Sequence, residues 1–127
     1  MPATSHLLDA FTGLNVLVIG DVMIDRYLRG TVDRISPEAP VPVVRMRDYQ
    51  DRLGGAANVA LNIKALGATP YLCSVVGQDQ NAVIFRDLLP QHGLSDRCIL
   101  QDPDRVTTVK TRVIAQNQQL LRVDQED

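Results

Sequence analysis

Three places in this sequence combine residue types and spacings suited to chemistry. The first is Gly20-Asp21, which closes the apolar run Val16-Leu17-Val18-Ile19, with Asp25 following four residues later. Open α/β sheets bind ligands beyond the carboxyl ends of their strands. A carboxylate at Asp21 can therefore accept hydrogen bonds from ligand hydroxyls, or it can simply cap the turn. The second place is Gly54-Gly55, immediately before Ala56-Ala57-Asn58. Paired glycines there either let a ligand approach the backbone and the helix N-terminus or serve only a tight turn. Asn58, in an otherwise apolar helix, needs partners for its amide, from backbone or from a ligand hydroxyl. Asn62 lies four residues on, in the same stripe. The third is Lys110 and Arg112, which alternate with Val109, Thr111 and Val113 and so share one strand face. That face is either solvated or a cationic wall for a phosphate, with Arg112 able to hold it bidentately.

Other chemistries lack their residues. There is no G-x-G-x-x-G dinucleotide fingerprint and no G-x-x-x-x-G-K-[ST] phosphate loop. Cys73 and Cys98 sit apart in apolar runs and read as buried small side chains rather than a disulfide framework. His6 and His92 have no cysteine or carboxylate cluster nearby, so no metal site is expected. Thirteen Lys and Arg against 15 Asp and Glu leave a formal charge of −2, without a basic field for nucleic acid or an anionic membrane. With five aromatic residues and no Trp, a base-stacking platform is also excluded. The N-terminus has no leader pattern and no stretch is apolar enough to span a bilayer, which reads as a soluble cytoplasmic chain with no nucleic-acid or membrane partner.

The elements that must position these residues follow from pattern. Ser5, Leu7, Leu8 and Phe11 before Gly13 suggest a short amphipathic helix. Val16–Ile19, a continuous apolar run, suggests a parallel strand buried on both faces. From Tyr27 to Arg47, Pro37, Pro40 and Pro42 interrupt β-prone residues, which suggests edge strands or extended excursions. Ala56–Leu66 reads as a helix stopped by Gly67 and, being apolar around most of its circumference, as largely buried. Tyr71–Val76 is a second strand, Asn81–Gln91 a helix capped by Gly93, and Arg97–Leu100 a short third strand. Thr107–Ala115 and Gln119–Asp124 flank Gln116-Asn117-Gln118 as a hairpin with a polar tip. Alternating strands and helices predict an α/β fold around an open parallel sheet, with the two extra β segments forming a small separate layer.

Together these segments resemble the ribokinase-like, or PfkB, carbohydrate kinases. Val18-Ile19-Gly20-Asp21-Val22-Met23-Ile24-Asp25-Arg26-Tyr27 looks like their opening strand and sugar-contacting aspartate, and Gly54-Gly55-Ala56-Ala57-Asn58 like their N-terminal glycine signature. Arg34-Ile35-Ser36-Pro37-Glu38-Ala39-Pro40-Val41-Pro42-Val43, with Arg112-Val113-Ile114 and Asn117-Gln118-Gln119-Leu120, is more similar to the members that phosphorylate heptose 7-phosphate within bifunctional enzymes of ADP-heptose synthesis.

The resemblance implies a three-layer α/β/α domain with a small β lid, here segments 27–47 and 106–124, which pairs with a neighbour's lid to make a homodimer. It implies phosphoryl transfer from MgATP to the anomeric hydroxyl of heptose 7-phosphate, giving heptose 1,7-bisphosphate on the way to the lipopolysaccharide core. Asp21, Gly54, Gly55 and Asn58 map onto sugar-binding positions, and Lys110, Arg112, Asn117 and Gln118 onto sugar-phosphate contacts. Such kinases carry a G-x-G-D motif with the catalytic base in their C-terminal half. The single Gly-Asp here is Gly20-Asp21, so the chain is expected to hold the N-terminal sugar side and lid, without the catalytic aspartate or the nucleotide site. Two alternatives remain: part of another sugar kinase of this family, or a non-catalytic module that binds a sugar phosphate or dimerises through its lid.

Overall fold

The computed structural model describes residues 2–127, with α and β elements in two sheets. Helix α1 (Pro2–Ala10) ends in a 3-10 turn over Phe11–Gly13 and leads into β1 (Asn15–Ile19). Two 14-residue strands follow, β2 (Val22–Ile35) and β3 (Pro42–Gly55), and then α2 (Ala56–Ala65), β4 (Thr69–Val76) and α3 (Gln80–Gln91). The chain closes with β5 (Ile99–Gln101), β6 (Val109–Ala115) and β7 (Gln118–Gln125).

The first sheet has the order β1-β4-β5 and is wholly parallel. Its core face carries Val18, Leu72, Val76 and Ile99, packed against Ala57 and Ala60 of α2 and Ala82, Phe85 and Leu89 of α3. The opposite face differs from the expectation of burial on both sides. Leu17 is 61% exposed and Ile19 74%, because among the described residues the helices pack on the other face. Helix α2 is likewise less buried than its composition suggests. Ala57 and Ala60 are buried, while Asn58, Val59 and Asn62 are exposed, since a single sheet face can accept only one stripe of a helix. Cys73 and Cys98 are both half-buried rather than enclosed.

The second sheet has the order β3-β2-β6-β7. Its strands run further than the sequence pattern suggested, and β2 is interior, antiparallel to β3 and parallel to β6. Pro37 and Pro40 lie in the connection between β2 and β3, and Pro42 begins β3, so none of these three interrupts the ladder of this sheet from within. The β6–β7 turn has two residues, Gln116 and Asn117, both at positive φ (54° and 61°), which matches the right-handed strand twist. Gln118, expected in the tip, is the first residue of β7.

The two sheets meet around α3. Ile24, Leu53 and Val109, from three strands of the second sheet, enter the core cluster with Phe85 and Leu89. A polar clasp lies on the same side. Arg26 donates to Asp51 from Nε at 2.8 Å and from Nη2 at 3.2 Å, and again to Asn81 on α3 at 3.2 Å. Tyr49 donates to Asp51 at 3.0 Å. The bond to Asp51 holds the Arg26 guanidinium above its ordinary pKa. Burial, and then the bond to Asp51, raises that of the Tyr49 phenol.

Asp79 fastens the N-terminus of α3. Its side chain accepts from Ala82 N at 2.8 Å and from Thr107 N at 2.9 Å, while the Thr107 hydroxyl accepts from Gly77 N. Burial pushes the Asp79 carboxyl up, but the donors from Thr107 and Ala82 outweigh it and leave its pKa below the ordinary value of 3.8. The ionised form therefore stabilises the fold above that value, and the contribution fades as pH falls through the lowered pKa. Asp79→Ala is expected to cost about 1 kcal/mol at neutral pH, the usual effect of losing an N-cap. Urea melts of both proteins should converge in strongly acidic solution, and an equal gap at all pH values would contradict the assignment.

Candidate functional site

The residues singled out in the sequence arrive at the site by different routes. Gly20-Asp21 joins the carboxyl end of β1 directly to β2, so Asp25 lies within β2 and not in a loop. Across from it, the end of β3 delivers Gly54 opposite Met23 and Gly55 opposite Val22, and the chain then turns into α2. Gly55 has φ +60°, a conformation that suits glycine, and a Cβ there would strike the Asp21 carbonyl. That carbonyl also accepts from Ala56 N at 2.8 Å, which ties the start of α2 to the β1–β2 junction.

Gly54 is required for a different reason. A Cβ at this position would stand 2.5 Å from Asp25 Oδ2, so the missing side chain makes room for the carboxylate. On the other flank, Lys110 is the register partner of Asp25 on β6, and Arg112 donates to Asp25 Oδ1 at 3.0 Å. Asp25, Gly54, Lys110 and Arg112 therefore share one face of the second sheet. Gly55 and Asn58 adjoin them through the β3–α2 junction, with the Asn58 side chain exposed.

Two expected site regions are not among the partners of Asp25 on this face. Asp21 is exposed and contributes its backbone carbonyl, while the carboxylate at the centre of the face is Asp25. Asn117 and Gln118 are at the far end of the β6–β7 hairpin, beside Gly30, which is five residues along β2 from Asp25, or about 17 Å at the usual strand rise. The signal that marks Asp25 in the sequence is its alternation with Met23 and Tyr27 once β2 is recognised as a strand. The doubled Gly20-Asp21 punctuation conceals it.

The same face carries residues that sequence reasoning did not single out. Tyr27, next to Asp25 on this side of β2, has guanidinium groups over its ring from Arg52 at 4.8 Å, Arg29 at 5.1 Å and Arg112 at 5.4 Å from the centroid. Arg29 pairs with Asp48 at 3.2 Å, and Lys110 lies 3.8 Å from Asp124. A carboxylate between cationic side chains, beside a glycine that leaves it open, can accept hydrogen bonds from hydroxyl groups of a ligand while the cations hold an anionic substituent. Among the described residues no group of three His, Cys, Asp or Glu is placed to hold a metal ion. No described helix is long and apolar enough to cross a membrane.

Comparison with known proteins gives this arrangement a context. The bifunctional protein HldE of Nitrosococcus oceani is 51% identical over 124 residues, covering 97% of this chain and 26% of that protein. The HldE of Helicobacter pylori is 50% identical over 111 residues, 87% of this chain and 24% of its own length. The chain thus spans about a quarter of the length of these curated relatives. In three dimensions it is similar to a crystal structure described as a putative ribokinase from Agrobacterium tumefaciens, with a TM-score of 0.69 at 20% identity, over 91% of this chain and 37% of that one. It also resembles a fructokinase with bound ATP from Xylella fastidiosa, with a TM-score of 0.62 at 19% identity, over 87% and 32%. These likenesses establish the ribokinase fold, and the family model for pfkB carbohydrate kinases matches residues 14–127. With nine-tenths of its length inside that match, the chain belongs to the pfkB family of carbohydrate kinases.

Proposed function

We propose that this chain forms the sugar-binding face and β lid of a heptose 7-phosphate kinase. In the reaction, the anomeric hydroxyl of the sugar attacks the γ-phosphorus of ATP, ADP leaves, and the hydroxyl proton passes to a base, giving heptose 1,7-bisphosphate for ADP-heptose and the lipopolysaccharide core. The observation that carries the reading is Asp25, kept open by Gly54 and paired with Arg112, on a face shared with Lys110. Asp25 accepts from the sugar hydroxyls, and the backbone at Gly54-Gly55 lets the sugar approach. The Asn58 amide, exposed on the first turn of α2, joins them. Arg112 and Lys110 hold the phosphate already on the sugar. The resemblance of Arg34–Val43 and of Arg112 to Leu120 to heptose phosphate kinases, together with about 50% identity to HldE proteins, favours this substrate over other sugars.

MgATP is the phosphoryl donor proposed for the whole kinase. Among the described residues no group of three His, Cys, Asp or Glu would hold its metal ion. The catalytic base is likewise assigned to the part of the kinase beyond the quarter that this chain matches. A cytoplasmic location fits a kinase that draws on ATP. A homodimer through the second sheet is supported by exposed Leu120, Leu121 and Val123 on β7 and by the Asn117-Gln118 turn beside them. Calorimetry of the chain with heptose 7-phosphate, fructose 6-phosphate and ribose tests the reading, with sedimentation of the same samples reporting the dimer. Saturable binding that favours the heptose ester is expected. Preference for an unphosphorylated sugar would remove the heptose assignment.

A further inference from the structure

We infer that Arg52 is the residue by which this site distinguishes a phosphorylated sugar from an unphosphorylated one, acting with its neighbours around the ring of Tyr27. The inference rests on the sugar-binding reading of Asp25. Three guanidinium groups crowd one aromatic ring, at 4.8, 5.1 and 5.4 Å from its centroid, and like charges so close repel unless anions balance them. Two are balanced within the protein. Arg29 has Asp48 at 3.2 Å and Arg112 has Asp25 at 3.0 Å. Arg52 donates to the neutral amide oxygen of Gln50 at 3.1 Å and forms no ion pair among the described residues.

Its position matters as much as its charge. The β2–β3 register sets Arg52 directly across from Asp25, and the β2–β6 register sets Lys110 across from Asp25 on the other side. Tyr27 stands two residues along the same face from Asp25, about 7 Å at the usual strand rise, so the Arg52 guanidinium over its ring lies beside the Asp25–Arg112 pair. The chain as a whole carries a formal charge of −2, so the unbalanced cation is a local feature of this face. A phosphate monoester supplies what Arg52 lacks: a doubly charged group whose oxygens fit the guanidinium fork. Tyr27 offers these guanidinium groups its ring and adds no acceptor at the ring face.

The test compares wild type, Arg52→Ala and Arg52→Lys for binding of heptose 7-phosphate and of the same heptose without phosphate, by calorimetry on the full chain. Wild type should prefer the ester. In Arg52→Ala the ratio of the two affinities should fall on the order of 10-fold, with partial recovery in Arg52→Lys, which keeps the charge and loses the fork. An unchanged ratio overturns the inference, whether or not both affinities drop. If wild type binds neither sugar, the sugar reading fails, and Arg52 is judged by its own Nε–Hε resonance during titration with inorganic phosphate. Movement that chloride at equal ionic strength does not reproduce supports an anion site at Arg52, and a stationary resonance overturns it.

Discussion

Asp25→Asn is expected to weaken heptose 7-phosphate binding by roughly 10- to 100-fold, the effect of losing one or two hydrogen bonds to a charged acceptor, about 1.5–3 kcal/mol. Asparagine keeps the size of the side chain and one acceptor oxygen but removes the charge, so the space beside Gly54 is unaltered. Stability should change little. The Asp25–Arg112 pair is only partly buried, with side chains 23% and 22% exposed, and such pairs contribute about 1 kcal/mol or less. Freed from its carboxylate, Arg112 should hold inorganic phosphate at least as well as before, so sugar and phosphate binding move apart in this variant. Calorimetry with both ligands reads the separation. Asp21→Asn, measured in parallel, ranks the two carboxylates, and a larger loss at position 21 would transfer the sugar contact from Asp25 to Asp21.

The largest stability effect is expected at Phe85. Its side chain is fully buried on α3, where it meets the parallel sheet and the root of the second sheet in one cluster. Truncation of a buried phenylalanine to alanine costs about 3–5 kcal/mol through lost burial and the cavity left behind. The site should suffer with the fold, because Ile24 and Leu53, buried in the same cluster, flank Asp25 and Gly54 in their strands. Phe85→Ala should therefore lower the urea midpoint and weaken sugar binding together. Phe85→Leu, which leaves a smaller void, should recover most of both. A Phe85→Ala protein with an unchanged midpoint would show that the two sheets are not joined through this side chain.

The parallel sheet was legible because its strands are short apolar runs ended by glycine, as in Val16–Gly20 and Tyr71–Gly77, and its helices are followed by Gly67 and Gly93. The extent of β2 was not. Tyr27 to Arg47 reads as edge strands or extended excursions in the sequence, and only pairing with both β3 and β6 makes β2 an interior strand with two distinct faces and Asp25 within it. Burial of β1 on both faces was overestimated for a related reason. A run such as Val16–Ile19 records that a strand can be covered on both sides, and Leu17 and Ile19 are nevertheless exposed in this chain. Composition likewise overstated the burial of α2, since Ala, Val and Leu are permitted at exposed positions: Ala57 and Ala60 are buried, Ala56, Leu61 and Ile63 pack partly buried against the core, and Val59 is exposed.

The candidate site divides in the same way. Gly54-Gly55, Asn58, Lys110 and Arg112 were recognisable by residue type and spacing, because a glycine pair before a helix and alternating cations on a strand are local patterns. By itself, then, the sequence determined the family, the order of elements and the presence of a glycine pair and alternating cations, Lys110 and Arg112, on a strand. Tertiary structure decided which carboxylate belongs to that face and which arginine is left unbalanced on it. Both depend on strand register: a shift of one residue between β2 and its neighbours would turn Asp25 away from Gly54 and Arg112, and Arg52 away from Tyr27. Register is set by contacts between residues 27 and 87 positions apart in the chain, as in the pairing of Asp25 with Arg52 and Arg112, and no local pattern encodes it.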